Sequence, residues 1–310
     1  VDEDRLTAAH GDISTLMQTL QSLAGRPEVQ GVVVDVSQDA RVAAANLQAD
    51  DGVLVNCPEA KNLVADATRQ IVQRYRAVNP LEYVVIVGND DIIPFFRTPD
   101  RALLAPESNY VPPVFNGTAS QASLKLDYVL SQDAYGSDID VSFKSHFIPV
   151  PDLAVGRLVE TPDDMLTMLD AYLATPDGVL EPGSAFVSGY DFLAESAEAV
   201  QSELEAGIGQ PASTLIAPRD QAPQDPNAWT GQQLIDAFLG QRHDLSFLAG
   251  HFSASSALAA DYTTRMTTDD LLASPIDMTN AVVFSAGCHS GYNIVTVHGV
   301  PLVTREPDWA

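Results

Sequence analysis

Short apolar runs rich in Val, Ile, Leu and Phe alternate with stretches of helical period along most of this chain. That alternation restricts it to an α/β fold built on mostly parallel sheets flanked by helices. The spacing predicts strands at 31–34, 83–87, 153–155, 185–188, 245–248 and 281–285, with a weaker one at 53–55. Amphipathic helices are expected around 13–23, 60–78, 162–173, 194–206 and 232–239, the third carrying Asp163 and Asp164 in its first turn, where carboxylates suit the helix dipole. Residues 99–136, rich in Pro, Ser, Asn and Tyr, read as a long surface excursion. Turn chemistry at both ends of 175–183 marks a subdomain boundary, so the expected division is 1–180 and 181–310.

Charge narrows the partners. The 310 residues hold 42 acidic against 16 basic side chains, a formal net charge of −26. Such a surface repels phosphate backbones and anionic membranes, which sets nucleic acid and membrane aside as partners. No apolar run reaches the 18 or so residues a membrane span needs. The opening Val1-Asp2-Glu3-Asp4 has no leader character, so no signal peptide is expected within this sequence. Some of the many carboxylates are candidates for structural calcium, but no EF-hand loop is present and no metal site is assigned; no cofactor is required. Two cysteines, Cys57 and Cys288, are too few for a disulfide scaffold or a structural zinc site.

Three predicted strands in the last third end in a polar, reactive residue: Ala-Phe-Val-Ser-Gly-Tyr-Asp191, Leu-Ser-Phe-Leu-Ala-Gly-His251 and Val-Val-Phe-Ser-Ala-Gly-Cys288. In open parallel sheets, reacting groups collect just beyond the carboxyl ends of strands. A thiol, an imidazole and a carboxylate delivered in this way are the parts of a nucleophile–base–orienter system. Gly250 and Gly287 allow the backbone to turn and expose the residue that follows. The turn after Cys288 also offers backbone N–H groups to an oxyanion. Each residue has a plainer reading: a buried small hydrophobe for Cys288, a structural imidazole for His251, a helix-entry residue for Asp191. His289 is a competing imidazole, ranked lower because sequence neighbours on an extended chain point apart. Cys57 has no polar constellation and reads as inert.

With these residues in view, the chain resembles the gingipain family of cysteine endopeptidases, in the caspase-like clan. Residues 83–94 (strand, Gly, acidic residues, Ile-Pro), 152–157 (strand, Gly-Arg), 248–251 and 281–293 carry the likeness, which covers the chain from about residue 80 onward. The resemblance implies a three-layer caspase-like fold with two subdomains, the catalytic one second. It implies Cys288 as nucleophile, His251 as general acid/base and Asp191 as orienter, acting on a peptide or protein substrate. The family's second oxyanion donor is a Gly after the catalytic His, so here the N–H groups of Cys288 and Phe252 are the candidates. Glu195 and Glu198 are the nearest candidates for the acidic base of the substrate pocket. Family members continue beyond the point matching Ala310, which implies a further segment or a second chain after autoprocessing. A secreted or cell-envelope location follows by analogy alone. The alternative from another class is a caspase-like module that binds without turnover. A nucleotide-binding domain lacks its phosphate motifs here.

Overall fold

A computed structural model describes residues 1–102, 104–109, 117–143, 146–219, 228–291 and 309. Residues 292–293 of the cysteine-bearing segment, and residues 307, 308 and 310, lie outside these. The chain is α/β, with its largest sheet parallel throughout. It divides into two compact units, Val1–Asp170 and Ala171–Asn293, the second also including Trp309. The division falls within a helix, ahead of the expected boundary at 180/181.

The first unit opens with four helices, α1 (Glu3–His10), α2 (Ser14–Ala24), α3 (Ala40–Ala49) and α4 (Pro58–Arg76). Pro58 fits the first turn of α4 because its missing N–H has no intrahelical partner there, and Arg74 and Arg76 complement the dipole at the other end. Ala67 and Ile71, one turn apart, deliver one face of α4 to a core containing Leu16, Leu20, Val42, Ile86 and Val87. There follow β1 (Tyr83–Val87), β2 (Phe96–Pro99), α5 (Ala119–Lys125), β3 (Tyr128–Ser131), β4 (Ile139–Phe143), β5 (His146–Val150), β6 (Ala154–Leu158) and α6 (Pro162–Ala174). β1 and β6 pair in parallel, while β2–β3 and β4–β5 are antiparallel pairs. Two of the sequence landmarks therefore meet: Arg157, in β6, donates to Gly88 O (2.7 Å) and Ile93 O (2.9 Å) and lies over the Phe95 ring.

Three expectations fail in this unit. Residues 31–34 form no strand; Gly31 N bonds back to Ala24 O at the end of α2 and Val34 O accepts from the Val1 amino group, and such isolated bonds do not make a ladder. Residues 53–55 form a turn. The stretch 99–136 is not a plain surface excursion, because among its described residues α5 and β3 are regular and Tyr135 is buried, donating to Pro94 O.

The second unit contains β7 (Ala185–Gly189), α7 (Ala194–Ile208), β8 (Ser213–Ile216), α8 (Gly231–Leu239), β9 (Leu245–Gly250), β10 (Ser256–Leu258), β11 (Arg265–Thr267), α9 (Thr268–Ala273) and β12 (Val282–Gly287). Its four-stranded sheet has the order β12-β9-β7-β8, all neighbours parallel. β7 is buried along its whole length, as expected for a central parallel strand covered on both faces. On one face Phe186 stacks with Phe238 of α8, at 5.9 Å between ring centroids. On the other, α7 approaches Gly189 so closely that a Cβ there would stand 2.7 Å from Ala197 Cβ. β12 occupies a sheet edge, and Val282, Val283 and Phe284 are exposed along it, with Phe284 stacked on Phe247.

Candidate functional site

Strand register sets the site. β9 and β12 run in parallel with Gly250 opposite Gly287, so His251 and Cys288 are the next residues off two neighbouring strands at the same level. Neighbouring strands lie about 4.8 Å apart, within reach for an imidazole and a thiol. On the far side of β9, Ser188 pairs with Leu248, which brings the chain three residues later, at Asp191, level with His251. Along the carboxyl rim of the sheet the backbone order is therefore Cys288, His251, Asp191.

Beyond β12 the chain turns at once. His289 adopts a positive φ of 59°, uncommon for a residue with a Cβ, and Ser290 closes the turn with its hydroxyl on Gly287 O (2.9 Å). Cys288 is exposed at this turn, whereas the neighbouring His289 ring is partly buried, which pushes its pKa down. The plainer reading of Cys288 as a buried hydrophobe does not hold. Cys57, in contrast, packs beside an apolar cluster of Ala49, Ala60 and Val64.

The chain after β9 folds back through an antiparallel bridge between Phe252 and Ala257. Leu258 N donates to His251 O (2.9 Å) and Ser253 N to Ser256 O (2.8 Å). These bonds flank the Phe252–Ala257 pair, so the N–H of Phe252 itself points away from β10. Tyr190, a fully buried residue, locks the loop: its hydroxyl donates to Leu258 O at 2.5 Å. Burial raises the Tyr190 phenol pKa, with the backbone N–H of His251 beside the oxygen working in the other direction.

Two glycines are required by close approach. The Tyr190 ring crosses Gly250, where a Cβ would lie 2.7 Å from Cε1. The Phe252 ring crosses Gly287, where a Cβ would lie 2.3 Å from Cγ. Both strand ends that carry a reactive residue are thus capped by an aromatic ring resting on bare backbone.

The exposed His251 ring is bracketed by Tyr190 (5.3 Å between centroids), Phe192 (5.5 Å) and Tyr262 (5.7 Å). Asp191 opens a short 3-10 turn, Asp191–Leu193, and is half-buried. The Tyr262 phenol pKa is raised by burial and then by the Asp191 carboxylate, which places that charge near Tyr262. Among the described residues, no hydrogen bond joins Asp191 to His251 or His251 to Cys288. The ring's orientation is held instead by its aromatic neighbours, which could not be paired from sequence because Tyr190, Phe192 and Tyr262 follow no periodic spacing. Glu195 and Glu198 project from the exposed face of α7, and both pair with Arg219, Glu195 at 3.0 Å.

Among the described residues no group of His, Cys, Asp and Glu is arranged to hold a metal ion, and no helix is long and apolar enough to cross a membrane. A cavity of 340 Å³ in the first unit is lined by Arg5, His10, Asp50, Asn89, Asp91 and Ile92. The Arg5 guanidinium there is already engaged by Asp50 (2.6 Å) and Asp91 O (2.9 Å). No protein-family model, curated protein or solved structure matches the chain.

Proposed function

We propose that the chain is a cysteine endopeptidase of the caspase-like, gingipain-like kind. The observation that carries the reading is the Gly250–Gly287 register, which sets His251 and an exposed Cys288 side by side at the carboxyl rim of a parallel sheet. In this mechanism Cys288 yields its proton to His251. The thiolate attacks the scissile carbonyl, forming a C–S bond while the carbonyl π pair moves to oxygen. The N–H groups of Cys288 and Phe252 receive that oxyanion. Collapse breaks the C–N bond, and the imidazolium gives its proton to the departing amine. His251 then deprotonates a water that attacks the thioester, releasing the carboxylic acid and restoring the thiol. Asp191 supports the imidazolium electrostatically from the neighbouring strand end.

The test is hydrolysis of a peptide library by the intact protein beside Cys288→Ala and His251→Ala. Loss of either residue is expected to lower turnover by about 10⁴-fold or more. Equal activity in the parent and Cys288→Ala ends the proposal. The absence of a hydrogen bond from His251 to Asp191 or Cys288 favours the second reading, a binding module without turnover. That reading gains if a well-folded chain leaves Cys288 unreactive towards iodoacetamide.

A further inference from the structure

Trp309 lies far along the sequence from both reactive residues yet is tied to the loop that carries one of them. Its indole N–H donates to Ser253 O at 3.0 Å, and its backbone N–H donates to Ala254 O at 3.2 Å. Its ring stands 6.2 Å from the Phe252 ring, tilted by 36°. Phe252 follows His251 directly and rests on Gly287, the residue before Cys288. Trp309 therefore bears on the peptide segment after His251 at two carbonyls and one ring, and that ring rests on Gly287 at the end of β12.

We propose that Trp309 is a positioning residue for the Cys288–His251 pair. It holds Phe252 down on Gly287, and so fixes the level of the His251 backbone and of the Phe252 N–H relative to the thiol. The inference rests on the catalytic reading, and deepens it. The sheet register brings the two strand ends together, but it does not fix the loop beyond Gly250. His251 and Phe252 lie past the last ladder residue, where the backbone is constrained only by the turn to β10 and by what packs on it. Removing the indole leaves the Ser253 carbonyl without that donor and the outer side of Phe252 uncovered. The ring is then free to lift from Gly287, carrying the adjacent imidazole away from the sulfur. A reacting pair displaced by about 1 Å loses about 10²-fold in rate.

The test is the pH dependence of Cys288 alkylation by iodoacetamide, read by intact mass on the full chain in a Cys57→Ser background. A thiol paired with His251 is expected to alkylate in a limb below its ordinary pH range, and His251→Ala to abolish that limb. Trp309→Ala is expected to abolish it as well, lowering the rate at pH 6 by ten-fold or more with the far-UV circular dichroism unchanged. Trp309→Phe, which keeps a ring but loses the indole N–H, is expected to fall between. A parent with the limb and a Trp309→Ala variant that keeps it at the parent rate overturns this proposal alone. A parent with no His251-dependent limb overturns the catalytic reading and this proposal with it. Should Trp309→Ala fail to fold, Trp309→Phe decides: a limb identical to the parent's refutes the positioning role.

Discussion

Replacing Gly287 by Ala probes the contact on which the site's geometry turns. The added Cβ would meet Phe252 Cγ at 2.3 Å, Cδ2 at 2.6 Å and Cβ at 2.7 Å. Carbon atoms settle at about 3.5–4.0 Å, so ring or strand must yield by about 1 Å. The Phe252 Cβ is among the crowded atoms, so a simple swing of the ring about its χ angles does not relieve the clash, and part of the shift falls on the backbone next to His251. Overpacking of this kind costs about 1–3 kcal/mol. The accompanying displacement of the imidazole is expected to slow Cys288 alkylation at pH 6, and peptide hydrolysis where it occurs, by about 10²-fold. Urea unfolding followed by tryptophan fluorescence reports the stability term, since Trp229 and Trp309 both lie in the same unit as the contact. Phe252→Ala in the Gly287→Ala background removes Cγ and Cδ2, the two nearest of the clashing atoms, and leaves only the Cβ contact. The double variant should therefore be more stable than the two single losses predict, with a coupling of about 1–3 kcal/mol. A Gly287→Ala protein within about 0.5 kcal/mol of the parent, with no coupling to Phe252, refutes the reasoning.

In the first unit, Asp90→Ala is expected to cost about 3–5 kcal/mol in urea unfolding, because it strands the fully buried guanidinium of Arg97, now bonded to Asp90 at 2.7 and 2.6 Å. Burial alone would raise the Asp90 pKa, but Arg97, Ser120 and the Phe95 N–H outweigh it and hold the carboxyl below its usual range. The carboxylate's contribution is therefore complete above about pH 4 and lost as the pH falls toward the folded pKa, so thermal scans from pH 6 to 3 should show a decline that Asp90→Asn lacks. On α7, the joint change Glu195→Gln and Glu198→Gln is expected to alter stability by less than about 1 kcal/mol, as exposed pairs with Arg219 do. A ten-fold rise in KM for peptides with a basic residue before the scissile bond would instead return these carboxylates to the substrate pocket.

Four of the parallel strands were readable because each is a short apolar run bounded by Gly or a turn: β1 has the expected bounds, and β7, β9 and β12 lie within two residues of theirs, whereas β6 runs three residues past the expected end and β8, only four residues long, was missed. The same property explains the failure at 31–34, where Val-rich sequence has strand propensity but finds no ladder partner. The antiparallel pairs β2–β3, β4–β5 and β10–β11 were missed because they are short and carry polar residues, so period 2 does not stand out. α1, α3 and α5 lack long apolar stripes. Each nevertheless begins at a side-chain cap, from Asp2, Asp39 and Thr118, which would have marked their starts. In the site, the three strand-end residues were legible one strand at a time. Their order along the rim needed the sheet order. The rings around His251, and the indole pinning its loop, come from separate segments and announce themselves only through packing.

Because β12 borders the described sheet, the strand that ends in Cys288 is hydrogen-bonded to β9 along one side, whereas β7 is held on both. Opening of such a border strand needs one ladder to break rather than two, so amide exchange should be faster along the border strands β12 and β8 than along β9 and β7. The sulfur is thus mounted on one of the two strands held from a single side, while its imidazole partner is mounted on a strand clamped from both flanks.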